Sequence, residues 1–147
     1  QKYKMDIYQE IIYCKDNAKL KEVVKDLIDR YGEFPTVLKN FVKIIILRNM
    51  AQNLGISKII ENKSEYVKNI VNIHITEEFD INKVELLIKK YKTRINFKKS
   101  KDIDEKGIIE YKYKDPERKI EEIHSFLNIL KLGIIKERDN IRKEKEN

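Results

Sequence analysis

Few residues in this chain have the means to do chemistry. Asp26 and Asp29 stand three apart in a helical pattern, which puts both carboxylates on one side of a helix with Arg30 beside them. A general acid and base could be arranged in this way, but such a pair works only when one carboxyl is desolvated and the other is not. Lys25 and Arg30 flank this pair on a side that reads as solvated, so no catalysis is expected of it. Metal chemistry has less to work with. The single Cys14 and the distant His74 and His124 cannot supply a zinc site, and no D-x-D-x-D-G loop offers oxygens to calcium. The four glycines, at positions 32, 55, 107 and 133, are too scattered to cradle a phosphate. His74 and His124 both read as surface residues. What remains is two carboxylates and an arginine near a helix end, with no local reason to be there.

The element that carries them is written clearly. Val23, Val24, Leu27, Ile28 and Tyr31 recur at three- and four-residue steps and line one helical face, while Asp26, Asp29 and Arg30 point elsewhere. Asp16 or Asn17 can cap the start of this helix. Gly32 stops it in a left-handed conformation, and Pro35 suits the first turn of the next helix. Before it, residues 3–14 place Met5, Tyr8, Ile11 and Ile12 on one stripe, with Cys14 a small hydrophobe at the helix end. After it, residues 35–54 carry too many apolar positions for a narrow stripe, which predicts the most buried helix of the fold.

From Ile56 the period changes. Ile59 and Ile60 read as a short strand, and Val71-Asn-Ile73-His-Ile75 alternates as a half-buried strand does. Asp80 can cap a helix from Ile81 to Tyr91. Strands at 94–97 and 108–113 flank a polar loop at 98–107, and Asp115-Pro116 opens a last helix that carries Ile120, Ile123, Leu127 and Leu130 inward. The expected class is α+β, with a three-helix N-terminal layer followed by a small, mostly antiparallel sheet backed by two helices. Residues 1–135 read as one domain with a helical part at 3–55, a sheet-containing part at 56–135 and a seam at Gly55. Residues 136–147 have little to bury and read as a frayed tail.

At 147 residues the chain can bury about two thirds of its unfolded surface without disulfides. A lone cysteine and the absence of a long apolar run or signal peptide point to a cytoplasmic protein with no membrane partner. Beginning at Gln1 suggests a piece of a longer chain. The net charge of +7 invites a nucleic-acid reading, yet residues 1–60 carry 11 Lys and Arg against 7 Asp and Glu, and residues 61–147 carry 21 against 18. There is no basic half. With 26 Lys to 6 Arg, the excess looks like a solvated lysine surface, and a basic nucleic-acid-binding module stands as the alternative.

Three stretches resemble a known family. Met5-Asp-Ile-Tyr8-Gln-Glu-Ile11, then Asp26-Leu-Ile-Asp29-Arg30-Tyr31-Gly32 with Pro35, then Ala51-Gln-Asn-Leu54-Gly55-Ile56 are similar in order and spacing to the C-terminal (TRCF) domain of bacterial transcription-repair coupling factors, the Mfd proteins. Those carry I-E-[IL]-Y-x-x-[IL], E-L-x-D-R-[FY]-G-x-x-P and A-x-x-L-G-I. The resemblance implies a non-catalytic module of an ATP-driven DNA translocase that displaces stalled RNA polymerase and recruits UvrA. ATP and magnesium would then belong to the parent, and this fragment would hold no cofactor. It further implies that the domain clamps the parent's UvrB-like N-terminal module and masks UvrA binding. Asp26, standing where the family has Glu, and Asp29, next to Arg30, would face arginines across that clamp.

Overall fold

The computed structural model describes residues 2–133; the tail expected at 136–147 lies outside them. Three helices come first: α1 (Lys2–Ile12), α2 (Asn17–Tyr31) and α3 (Thr36–Asn53). Strands β1 (Ile56–Glu61) and β2 (Ile70–Thr76) follow, then α4 (Val84–Tyr91), β3 (Ile95–Lys98), β4 (Glu105–Lys112) and α5 (Lys119–Leu132). The four strands form one sheet in the order β1-β2-β4-β3, antiparallel throughout. The class is α+β.

Local signals set most boundaries. Asp16 accepts the Lys19 N–H at 3.0 Å and opens α2. Asp80 and Asp115 accept the N–H groups of Asn82 and Glu117 and each start a 3-10 turn, Ile81–Lys83 and Pro116–Arg118, that winds into α4 and α5. Gly32 closes α2 by donating its N–H to the Ile28 carbonyl at 2.8 Å, but with φ 93° and ψ 179° rather than the left-handed helical geometry expected of it. Pro35 sits one position before α3, where its carbonyl accepts the N–H groups of Leu38 and Lys39.

The apolar residues sort into two cores. One gathers Ile7, Ile11, Leu20, Leu27, Leu38 and Ile45 from the first three helices, with Phe34 from the turn. The other packs Val71, Ile73, Ile75, Ile109 and Tyr111 of the sheet against Leu87 of α4 and Phe126, Leu127 and Leu130 of α5. Helix α3 serves both, since Leu47, Met50 and Ala51 join the second core and Ile46 packs against each. The change of core therefore falls within α3, between Ile45 and Leu47, while the chain passes from helix to strand at Gly55. The sheet is backed by α4 and α5 as expected, and the last turns of α3 join the same core.

Several other expectations are corrected. On α1 the buried pair is Ile7 and Ile11, one turn apart, while Met5 and Ile12 are exposed. Cys14 lies past the end of α1, half-buried against the first core. On α3, Val37 and Ile44 are exposed, so its apolar surplus reaches past the two cores into solvent.

Gly55 joins α3 to β1 with φ +79°, and a Cβ there would lie 2.5 Å from the Phe79 backbone nitrogen. Gly32 has open space around it. Gly32→Ala carries only backbone strain, about 1–3 kcal/mol, whereas Gly55→Ala adds a clash with main chain that cannot move aside. Urea unfolding is expected to show the greater loss for Gly55→Ala, by at least about 1 kcal/mol.

Candidate functional site

Helix α2 presents two unlike sides. Leu20 and Leu27 are fully buried, with Val23, Val24 and Ile28 packed around them. Opposite lie Glu22, Asp26 and Asp29, spaced four and three apart and all exposed, so that three carboxylates share one side of a rigid helix. Glu22 was missed in the sequence although its spacing from Asp26 shows it.

The structure brings Asp26 and Arg30 together and leaves Asp29 apart. The Arg30 guanidinium lies 3.2 Å from Asp26 one turn back and 3.5 Å from Glu10 of α1, and stacks 5.2 Å from the Tyr31 ring centroid. Arg30 thus ties α1 to α2 and is already engaged within the fold. Both pairs are solvent-exposed, and such pairs contribute at most about 1 kcal/mol. Asp29 makes no hydrogen bond or ion pair with the described residues. It also lies in the last turn of α2, where the carbonyl end of the helix dipole disfavours a negative charge. Asp29 is therefore held in place by a helix that gains nothing from it.

The other polar constellation is on the open face of the sheet. Glu105, at the start of β4, accepts from the Ser100 hydroxyl at 2.6 Å and the Ser57 hydroxyl at 3.2 Å, and lies 2.6 Å from His74 Nδ1 and 3.7 Å from Lys58 Nζ. His74 is mostly buried and paired, which corrects its reading as a plain surface residue; its partner comes from a strand 31 residues on, beyond the reach of spacing arguments. The 98–107 loop is likewise shorter than expected, since β4 begins at Glu105 and Ser100 pins the loop to the sheet. The Ser100 hydroxyl, and after it His74 and Lys58, hold the Glu105 carboxyl down at about 2 against the opposing effect of burial. This cluster fastens a hairpin, and its oxygens are filled by partners of the chain itself. His124 is exposed on α5. Among the described residues no group of three or more His, Cys, Asp or Glu could hold a metal ion, and no helix is long and apolar enough to cross a membrane.

Two measurements follow from these geometries. A carboxyl depressed by folding stabilises the fold fully above its ordinary value of 4.5 and loses that contribution as pH falls toward about 2. The unfolding midpoint should drop across that interval, and Glu105→Gln should flatten the drop while lowering stability near neutrality. Removing the Asp29 charge acts on stability through the helix end instead. Asp29→Asn should leave thermal stability unchanged or raise it by about 0.3–1 kcal/mol at low salt, as removal of a charge from the wrong end of a helix does.

The chain has clear relatives. The TRCF domain family matches residues 1–75, a stretch that contains α1 to α3, β1 and most of β2. The transcription-repair-coupling factor of Escherichia coli (strain K12) is 35% identical over an alignment of 74 residues, which covers 47% of this chain and 6% of that protein. A solved structure, the C-terminal domain of transcription-repair coupling factor, superposes with a TM-score of 0.66 over 88% of this chain and 80% of its own, at 18% identity, a likeness of fold. With a family match over half its length, and the fold of a solved C-terminal domain besides, this chain belongs to the TRCF domain family.

Proposed function

We propose that this domain is a non-catalytic regulatory module of a transcription-repair coupling factor, and that it docks through the acidic side of α2 onto the UvrB-like N-terminal module of the same parent, masking UvrA binding. The parent in this reading is a cytoplasmic ATP-dependent DNA translocase that displaces stalled RNA polymerase, and ATP and magnesium act there rather than in this domain. The observation that carries the reading is Asp29, an exposed carboxylate without a partner among the described residues, fixed at a helix end that its charge destabilises. Asp26 supports it less directly, since its carboxylate is shared with Arg30. Arg30 orients Asp26 and braces α2 against α1 through Glu10, so its part in docking is to position the surface.

The energetics separate a docking residue from a residue of the fold. Removing one member of a desolvated interfacial charge pair costs about 2–5 kcal/mol in binding, against at most about 1 kcal/mol for an exposed pair within the fold. Titration calorimetry with the isolated UvrB-like module should give binding that Asp29→Arg weakens about 30-fold or more, at an unchanged melting temperature. Undiminished binding by Asp29→Arg, or a variant that melts several degrees lower, removes Asp29 from the interface.

One observation favours a second reading, a basic nucleic-acid-binding module. Lys90, Lys114 and Arg118 line a shallow concavity beside α5 without an ion-pair partner among the described residues, and Arg94 lies among them. Asp115, Glu121 and Glu122 line the same concavity and offset its attraction for phosphate. Duplex DNA that fails to bind at about 50 mM salt disposes of this reading.

A further inference from the structure

Strand β1 is an edge of the sheet, paired with β2 alone. Beside it, between α3 and α5, runs a groove of about 400 Å³ whose walls and floor are apolar: Ile44, Leu47, Ile59, Ile120 and Ile123. Ile44 is half exposed there, which accounts for part of the apolar surplus on α3. Four consecutive residues of β1, Ile56 to Ile59, line this groove. A β-bulge between Ile56 and Lys58 breaks the strand's alternation, so that Ile56 and Ile59 join the core while Ser57 and Lys58 reach Glu105 on the other face, and the groove touches residues of both faces. The groove therefore follows the strand's open edge, where backbone N–H and C=O groups have no partner in the sheet.

The charged residues that line it have one sign. Arg48, Lys58 and Lys119 stand at the rim, and no carboxylate lines the groove. Lys119 and Lys58 reach Glu61 and Glu105 outside it, at 3.0 and 3.7 Å. Arg48 has no carboxylate partner among the described residues; its guanidinium donates to the carbonyls of Ile12 and Cys14 and to the Asn49 side-chain oxygen. Its positive charge is left over.

We infer that this edge and groove form a second docking site, which takes an extended segment of a partner protein in which apolar residues alternate with acidic ones. The segment adds a strand to β1 through main-chain hydrogen bonds, seats its apolar side chains between α3 and α5, and turns its carboxylates toward Arg48, the lining cation that no carboxylate of the described residues answers. Strand addition at a free edge gives affinity through the backbone and specificity through the alternate side chains. Lys58 and the bulge at Ser57 blunt this edge against indiscriminate pairing, but protection from aggregation alone would not lay an apolar groove beside it. No residue of α2 lines the groove, so this site is separate from the acidic surface of α2.

The probe is an acetylated, amidated octapeptide alternating valine and glutamate, compared with its valine–lysine counterpart on the whole chain. The glutamate peptide should bind at least about tenfold more tightly than the lysine one. Ile44→Glu, at a half-exposed position that folding tolerates, should abolish the difference, whereas Asp29→Arg should leave it intact. Hydrogen exchange gives the decisive geometry, with new protection expected at those amides of Ser57–Ile60 that β2 leaves unpaired. Equal binding of the two peptides overturns the proposal. So does protection confined to α3 and α5, which would mean a helical or side-chain occupant, and so does sedimentation showing two copies of the chain joined along β1.

Discussion

The fold depends on burying α3 from two sides. A helix of 18 residues that carries Leu38 and Ile45 toward one core and Leu47, Met50 and Ala51 toward another cannot be satisfied by either layer alone. The helical layer and the sheet are therefore held together by continuity of a single rigid element. Ile46, in contact with both cores, sits at the crossover. Polar chemistry reinforces the same place. Asn49 is almost wholly buried and donates to the Cys14 carbonyl and the Asn17 side chain, both at 3.0 Å, while Asn17 returns a bond to the Ile46 carbonyl. Arg48 adds bonds to the carbonyls of Ile12 and Cys14, so the turn between α1 and α2 is fastened to the middle of α3. Buried amides of this kind cost stability unless each is paired, and here their bonds are closed with backbone groups the turn would otherwise leave open.

In the sheet half, partly buried carboxylates do the corresponding work. Glu122 of α5 accepts the backbone N–H groups of Lys114 and Asp115, the Tyr111 hydroxyl and the Arg94 guanidinium. Burial alone would raise its carboxyl, but those backbone and side-chain donors outweigh it and hold the group below the usual carboxylate range. Arg94 in turn lies over the rings of Tyr91 and Tyr111, which links the end of α4 to β4 and to α5. Glu105 closes the opposite end of β4 in the same way. The two anions fix where the last strand begins and where the chain leaves it for α5.

How much of this was legible follows from the range of each interaction. Caps are local, and Asp16, Asp80, Asp115 and Gly32 announced their helix ends because donor and acceptor lie within four residues. The strict alternation of Val71, Ile73 and Ile75 announced a strand with one buried face, and it has one. The partition into two cores was hidden, because a helical period says which side of α3 is apolar without saying which neighbour each residue meets. The His74–Glu105 pair was hidden for the same reason: alternation placed His74 on the polar face, and only strand pairing shows what stands opposite. On the candidate surface, the spacing of Asp26 and Asp29 was readable, while the engagement of Arg30 with Glu10, 20 residues away, required the packing of α1 on α2.

The acidic side of α2 is set apart by what the fold does not ask of it. The start of α2 is met by Asp16, its stop by Gly32, its packing by Leu20 and Leu27, and its bracing against α1 by Arg30. None of these needs Asp29. Its charge opposes the helix dipole, and no cation of the described residues answers it. Asp26 differs, because Arg30 neutralises part of its charge and would have to be drawn away, or shared, when a cation arrives from outside. The two carboxylates therefore do not contribute alike to any docked state: Asp29 offers a full charge whose only cost is its own desolvation, and Asp26 offers one already discounted by its neighbour. A partner arginine placed between them gains most of its attraction from the carboxylate nearer the end of the helix.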